Sequence, residues 1–588
     1  MRKSLLVIAA LLLSLTSAFA EKVTQERAAA AAQAFFTQPG FKYASGMKMV
    51  SLAAEAPGEN PAYRAYNRTG GGFVVIAGND AVEPVLAYSD EGEFPCIEDM
   101  PENMAWWFKM LEMQINSIPE GAEATDQIER RWIVPQIVKS LPESLNYDTA
   151  IWNQNAPFNN MCPTHGSTHC LTGCEATAAG IIAYYFKWPD AGVGTVAASN
   201  NQGEPYQAHA LGHAYDYNNM LKSYNSGYNT TQANAVATLL YDMGTAFQME
   251  YGTGGSGTKS SRVLEGFKNH MKYSKRAYIA KRNDYSDEKW FDLVKHTLNE
   301  CGPTIYAGDN PDGNGGHAFV IDGYDASGRF HFNWGWGGQG NCYCYLATLV
   351  PNGINDNYSK NQEMMVNLVP DRDGTSQPED YLIYRLNGSH TGLRANVTSF
   401  VKDGNFKCTA TLIQPKIVAF NGTFYVSLYD KDGNFKQDVS KGTNLQIPLN
   451  AGSGFQNASC KITVDIAPGD KLMVRYVGQY NEGIIDAGEG CTTEIVVRSE
   501  DDDPASAYSA AQNAAGTKLS YNKQTKVLTL EPSYPVYWTI KNSSSEQVDG
   551  GYKETVGKIE INTSDYASGQ YFISIGSKKN PYTFTFTK

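Results

Sequence analysis

One stretch near the middle of the chain constrains the fold more than any other. Gly315-Gly316-His317-Ala318-Phe319-Val320-Ile321-Asp322-Gly323-Tyr324 reads as a strand, Asp325-Ala326-Ser327-Gly328 as a turn, and Arg329 to Trp336 as the strand returning. In the simplest register of this hairpin His317 lies opposite Trp336 and Phe319 opposite Trp334 on the same face. Two tryptophans then shelter one histidine, and Asn333, one residue along, comes within reach of the ring. Helical patterns at Gly173 to Phe186, Thr231 to Met243 and Asp287 to Glu300 precede strands from Pro303 to Leu368. Helices first and strands later is an α+β order.

The hairpin is one part of a longer design. A chain of 588 residues exceeds a single core, at roughly 150 residues per domain. Arg2 and Lys3, an apolar run from Leu5 to Leu15 and Ala18-Phe19-Ala20 form a signal-peptide pattern over residues 1–20. No later segment has the roughly 20 apolar residues of a membrane span. Residues 24–37 read as an Ala-rich helix with Thr24 as N-cap, followed by strands at Gly72 to Ala77 and Pro84 to Ser89 and a helix from Glu102 to Ile118. This α+β unit closes near Arg130-Arg131-Trp132, before an exposed-looking stretch, IVPQIVKSLPES. Asp371 to Glu379 is a polar linker. Beyond it, strands recur with turns at Asn387-Gly388, Asp403-Gly404, Asn421-Gly422 and Asp432-Gly433, the pattern of a sandwich running to about Val497. A second linker at Ser499 to Pro504 leads to another all-β module, 505–588. A formal charge of −13 offers no general attraction to nucleic acid or anionic lipid.

Chemistry concentrates between the IVPQIVKSLPES stretch and the hairpin. Cys174 stands at the front edge of a helix, where unsatisfied N–H groups and the positive end of the dipole favour a thiolate. A Cys nucleophile needs an imidazole partner that is oriented and shielded from water, which His317 and the tryptophans provide. Gln154, twenty residues before Cys174, can return to donate its amide to an oxyanion beside the Cys174 backbone N–H. The bland readings are a buried structural cysteine, a strand histidine and a polar loop. Each would stand if its motif were isolated.

Other patterns compete. Cys162, His165, His169, Cys170 and Cys174 have loose zinc spacing, although in an exported chain with ten cysteines one or two disulfides, Cys162–Cys170 foremost, are the stronger expectation. His209 and His213 are four apart but lack the Glu of a metallopeptidase helix. The glycine-rich 252–260 stretch has a trace of a phosphate loop without its spacing, and better suits a backbone lying along an extended peptide.

Taken together, WNQNAPFN with Gln154, TGCEATAAGIIAYYF with Cys174, EYGTGGSGTKSSRV, GGHAFVIDGYD with His317 and FHFNWGWGG resemble the streptopain family of secreted cysteine peptidases over about 190 residues. The resemblance implies a papain-like domain over 134–370 and an inhibitory propeptide over 21–133, released by cleavage within Arg131 to Lys139. It implies catalysis by Cys174, His317 and Gln154 with Trp334 and Asn333 beside the histidine, substrate contacts at Ser256, Gly257, Gly316 and Trp336, and no cofactor or metal. Its partners are protein or peptide substrates and its own propeptide. The β-regions 380–498 and 505–588 lie outside that core. They read as Ig-like modules, the last resembling the sorting domains of type IX secretion, which implies an extracellular or cell-surface enzyme that meets secretion machinery. The rival reading is an inert peptidase-like domain in a surface adhesin.

Overall fold

The structure, a computed structural model, describes residues 22–588 apart from 39–49, 120, 121, 123, 125, 134–143, 197–199, 202–203, 206–207, 310–315, 347–361, 387–390, 398, 498–516, 533–535, 554–557 and 577–580. The expected signal peptide, the propeptide junction over 134–143, the Asn387-Gly388 turn and the second linker therefore lie outside the described residues. The chain forms two compact units, Met1–Arg282 with Asp287–Thr375, and Asn283–Ser286 with Ser376–Lys588. Its fold is mixed α/β.

In the first unit, α1 (Gln25–Phe36) starts where the sequence places it: Thr24 caps it by accepting from the Arg27 amide at 3.2 Å. Its alanines and Phe35 pack over Val74 and Ile76. Strands β1 (Val50–Glu55), β2 (Tyr63–Arg68), β3 (Phe73–Ala77) and β4 (Val85–Ser89) follow, then α2 (Glu102–Asn116), α3 (Asp126–Ile133) and the short β5 (Leu145–Asn146). Helices α4 (Cys174–Phe186), α5 (Thr230–Ala246) and α6 (Ser260–Asn269), strand β6 (Tyr278–Lys281) and helix α7 (Asp287–Cys301) come next. Strands β7 (Thr304–Asp309), β8 (Gly316–Tyr324), β9 (Phe330–Asn333), β10 (Cys342–Cys344) and β11 (Gln362–Val366) complete the unit.

One sheet joins the N-terminal segment to the rest of this unit, in the order β1-β2-β3-β4-β10-β9-β8-β7-β11-β6, with β5 also paired to β8. The junction is the β4–β10 pair, Tyr88 opposite Tyr343 and Ala87 opposite Cys344. Strands β3 and β4 are buried throughout, which is why they read as unbroken apolar runs. Helix α4 is buried over Glu175 to Ala183 and packs with α5, α6 and the Ala318 and Val320 side of the sheet.

Several expectations needed correction. Helix α6 was not expected, because Lys259 before it makes no side-chain cap and only Val263, Gly266 and Phe267 are buried along it. Asn421-Gly422 is not a turn. It lies inside a strand, where a Cβ on Gly422 would come within 2.3 Å of the Val477 carbonyl oxygen, so the glycine serves close approach. No disulfide joins the ten cysteines, so the expected Cys162–Cys170 bridge is not formed.

In the second unit, β12 (Leu382–Tyr384), β13 (Gly392–Ala395), β14 (Asn405–Pro415), β15 (Phe420–Tyr429), β16 (Phe435–Asp438), β17 (Thr443–Ile447), β18 (Ser453–Lys461), β19 (Lys471–Val477), β20 (Glu482–Ile484) and β21 (Glu494–Val496) form two antiparallel sheets. One holds β12, β13, β14 and β18, the other the remaining six. Their inner faces share a core that includes Tyr384, Phe406, Phe424, Val426, Leu428 and Val474. The chain from Thr517 to Thr587 adds a three-stranded and a four-stranded sheet around Leu528, Leu530, Ile540 and Ile573.

Candidate active site

Cys174 opens α4 behind Gly173, whose φ of 86° and crowded position favour glycine: a Cβ there would stand 2.9 Å from the Ser256 carbonyl oxygen. Gly173 makes no side-chain cap, and its carbonyl accepts from the Thr177 amide at 3.0 Å, closing the first turn. The thiol therefore sits at the unsatisfied end of a well-packed helix. His317 is the second residue of β8, at the starting end of a strand flanked by β7 and β9 in the sheet against which α4 packs. Gln154, Leu171, Cys174, Gly255, Ser256, Gly316, His317 and Trp336 line one cleft, together with Glu102 and Asn103 of the N-terminal segment. The space left open is about 70 Å³.

The loops are fixed from below. The Trp152 carbonyl accepts from the Gly337 amide at 2.7 Å, and Asn225 Nδ2 donates to the Gly337 carbonyl at 2.9 Å, which ties the Gln154 loop to the Trp336 turn. The Ser256 hydroxyl donates to the Leu171 carbonyl at 2.7 Å and accepts from the Gly252 amide at 3.0 Å. Ser256 is thus a brace of the cleft wall. Gly257 pairs with Glu250 rather than lining the cleft, where Gly255 takes the expected place.

The electrostatics are those of a resting site. Burial first, and the neighbouring Glu175 carboxyl second, push the Cys174 thiol up to about 12, against the opposing backbone N–H groups of Ala318, Glu175 and Cys174 itself. Burial also lowers His317, favouring its neutral form. No hydrogen bond joins the Cys174 thiol to the His317 ring among the described residues. The pair is a thiol beside a neutral imidazole.

The cause is α2. Trp106 places its ring 6.2 Å from that of His317 and donates its Nε1–H to the Asp309 carbonyl at 3.3 Å. Asn103 Nδ2 donates to the Trp334 carbonyl and, at 3.4 Å, to that of Ala318. The sequence reading missed both residues. Its signal was Trp106-Trp107-Phe108: three consecutive aromatics span too wide an arc for one helix face, so α2 had to be covered on more than one side. Trp107 meets Phe332 at 4.8 Å and Phe108 meets Phe94 at 5.3 Å, leaving Trp106 for the histidine.

The hairpin follows the expected register at Val320 opposite Asn333 and Ile321 opposite Phe332, then shifts by one residue at a bulge near Asp322. The ladder ends at Asn333, so His317 pairs across the other side, with Gly308. Trp334 packs on Phe319 at 4.8 Å and donates its Nε1–H to the Gly340 carbonyl, so it supports the cleft from beneath instead of sheltering His317. Asn333 does not reach the ring: its Nδ2 is spent on Thr149 Oγ1 at 2.9 Å and the Ala150 carbonyl at 2.8 Å. The candidate zinc residues act separately, with His169 Nδ1 at 2.8 Å from the Cys162 carbonyl. Among the described residues no three His, Cys, Asp or Glu side chains form a metal-binding group.

Residues 152–344 match the model of the peptidase C10 family, and residues 20–115 match that of the Spi protease inhibitor. The segment 152–344 is thus similar to the peptidase C10 family. The C10 segment holds Gln154, Cys174, His317, Asn333 and Trp334, and the inhibitor segment holds Asn103 and Trp106. Among relatives, the chain is 30% identical to the thiol protease/hemagglutinin PrtT of Porphyromonas gingivalis over 63% of its own length and 44% of that protein's. It is 29% identical to streptopain of Streptococcus pyogenes over 50% of its length and 76% of streptopain's. A prointerpain A fragment of Prevotella intermedia is similar at 28% identity, with a TM-score of 0.45, over 55% of this chain and 99% of that one. The chain spans less than half the length of PrtT.

Proposed function

We propose that the protein is a secreted cysteine endopeptidase made as a zymogen, with Cys174 as nucleophile and His317 as its proton carrier. The observation that carries this reading is a helix-terminal cysteine and a strand-end histidine lining one cleft, closed by residues of an inhibitor-like segment of the same chain. When α2 leaves the cleft, water and substrate replace the indole. The burial that raises the thiol and lowers the imidazole is relieved, and the proton passes from Cys174 to His317. The thiolate attacks the scissile carbonyl carbon. His317 gives its proton to the departing amine as the C–N bond breaks, leaving a thioester on Cys174. Water then loses a proton to His317 and attacks the thioester, releasing the new carboxyl end and restoring the thiol. The Gln154 amide and the Cys174 backbone N–H stabilise the oxyanion in both halves.

Asn333 acts at a distance, anchoring Thr149 and Ala150 below the Gln154 loop. Trp336, whose indole Nε1 is buried without a hydrogen-bond partner, has a donor left for substrate. The signal-peptide pattern supports export, the two-sheet arrangement of 380–498 supports an Ig-like sandwich, and the 505–588 module supports a sorting role in type IX secretion. In the described residues no helix is long and apolar enough to cross a membrane. The deciding experiment is casein hydrolysis by the processed protein: Cys174→Ala is expected to lose at least about 10⁴-fold in rate while keeping its fold, and retained hydrolysis would refute the assignment.

A further inference from the structure

The outer face of the larger sheet in the second unit carries a second candidate site. Alternation along β15 sends Phe424, Val426 and Leu428 into the core, so Tyr425, Ser427 and Tyr429 face outward. On this face Ser427 and Tyr429 are buried and Tyr425 is half-buried. Here Arg475 stands opposite Tyr425, Asp438 opposite Ser427 and Phe435 opposite Tyr429, which gathers two aromatic rings around one guanidinium, with Tyr429 against Phe435. Tyr429, Phe435, Asp438, Arg475, Glu482 and Gly483 line an open cleft of about 530 Å³, within the size range of small-ligand sites.

The polar groups are held in place before any ligand arrives. Arg475 donates from Nε and Nη2 to the two oxygens of Asp438 at 3.2 and 2.7 Å, and from Nη1 to Glu482 Oε2 at 3.1 Å. Ser427 Oγ donates to Asp438 Oδ1 at 2.6 Å. The guanidinium carbon lies 4.8 Å from the Tyr425 ring centroid and 5.6 Å from that of Phe435. Phe435 nevertheless remains 53% exposed, a rigid apolar plate beside an ordered polar network.

We propose that this cleft binds a neutral saccharide. One guanidinium against two carboxylates leaves it net negative, which disfavours phosphates and acidic sugars. The carboxylates are already partnered by Arg475, which weakens the case for a cation. What remains are carboxylate lone pairs able to accept from hydroxyls, guanidinium N–H groups not engaged by Asp438 or Glu482, and an aromatic surface for the C–H face of a pyranose ring. That combination of donors, acceptors and an apolar plate matches a sugar ring.

The test uses the full chain as Cys174→Ala, to prevent self-processing, titrated with glucose, galactose, mannose, N-acetylglucosamine and their disaccharides by calorimetry. A sialylated sugar and an oligolysine peptide serve as the charged arms. Saturable binding of a neutral sugar is expected, weakened about tenfold or more by Phe435→Ala and less by Glu482→Gln, with the melting temperature unchanged by the exposed Phe435 substitution. Phe435→Ala in the otherwise native chain should leave casein hydrolysis intact, so this result is independent of the peptidase assignment. Absence of saturable binding at the highest soluble sugar concentrations, equal binding by Phe435→Ala, or binding of the charged probes alone would overturn the proposal.

Discussion

Within the first unit, His209 and His213 each place Nε2 2.9 Å from an oxygen of Asp242, a buried carboxylate that Tyr215 also reaches at 2.8 Å. In the cleft, His317 has no carboxylate partner among the described residues and lies near an indole instead. The first neighbourhood spends its imidazoles on structure: two rings and a phenol cover one carboxylate that α5 carries into the interior. The second withholds charge from both the thiol and the imidazole. Burial without a partner keeps the proposed catalytic pair neutral, and the covering element belongs to the segment that matches the Spi protease inhibitor model. On the proposed zymogen reading, latency is a matter of solvation more than of a missing residue.

The widest test of this contrast is thiol reactivity. Replacing Asn103 and Trp106 together by Ala in the precursor should admit water to the cleft and increase alkylation of Cys174 by iodoacetamide at pH 7 by up to roughly a thousandfold, the change in thiolate fraction between a thiol at about 12 and an ordinary one. Unchanged labelling, followed by mass spectrometry, would remove α2 as the cause of latency.

Glu175 sharpens the comparison on the stability side. Burial, then repulsion from Glu363, pushes its carboxyl from 4.5 up to about 8, with Ser260 opposing the rise. The folded state therefore holds a proton that the unfolded state has already lost between these values. Its contribution is full below pH 4.5 and falls away as pH rises toward 8, at about 1.4 kcal/mol per pH unit as an upper bound. Glu175→Gln should flatten that slope in calorimetric melts at pH 4.5 and pH 8. A slope equal to that of the parent chain would show that Glu175 is ionised in the fold.

At the partnered site, Asp242→Asn should cost about 1–3 kcal/mol in denaturant melts and leave the activity of the processed enzyme unchanged, because hydrogen bonds to a buried acceptor are lost far from the thiol. The smallest effect is expected at Cys162, buried and unbridged. Cys162→Ala should cost about 1 kcal/mol of packing, and adding a reductant to the parent chain should not shift its melting temperature. A large destabilisation by reductant would show that an unseen bridge forms.

The elements most legible in the sequence were those whose signals are local. The Thr24 cap, the apolar strands of the N-terminal segment, α4 and the 315–338 hairpin all follow from caps, turn residues and periodicity within a few residues. The hairpin's register also decides which of its side chains share a face. Asn333 pairs with Val320, and alternation puts the pair on the opposite face from Phe319 and Trp334, so a contact from Asn333 to His317 was disfavoured by the register itself. Trp334 failed as a shelter for the same geometric reason: proximity in a ladder does not say which cavity a ring fills. Helix α6 was hidden by the lack of a cap signal, and Gly422 by the double meaning of Asn-Gly, which marks a turn or permits close backbone approach.

What the sequence determined by itself is the chemistry: which thiol stands at a helix start, which imidazole stands on a strand beside aromatic residues, and the α+β order that gives each its scaffold. Those follow from short-range preferences. The state of the chemistry was decided only in three dimensions, where Asn103 and Trp106, more than two hundred residues from His317, arrive through the β4–β10 pairing and the burial of α2. Desolvation depends on every element that surrounds a group, so no local pattern around Cys174 or His317 could report that their charges are withheld.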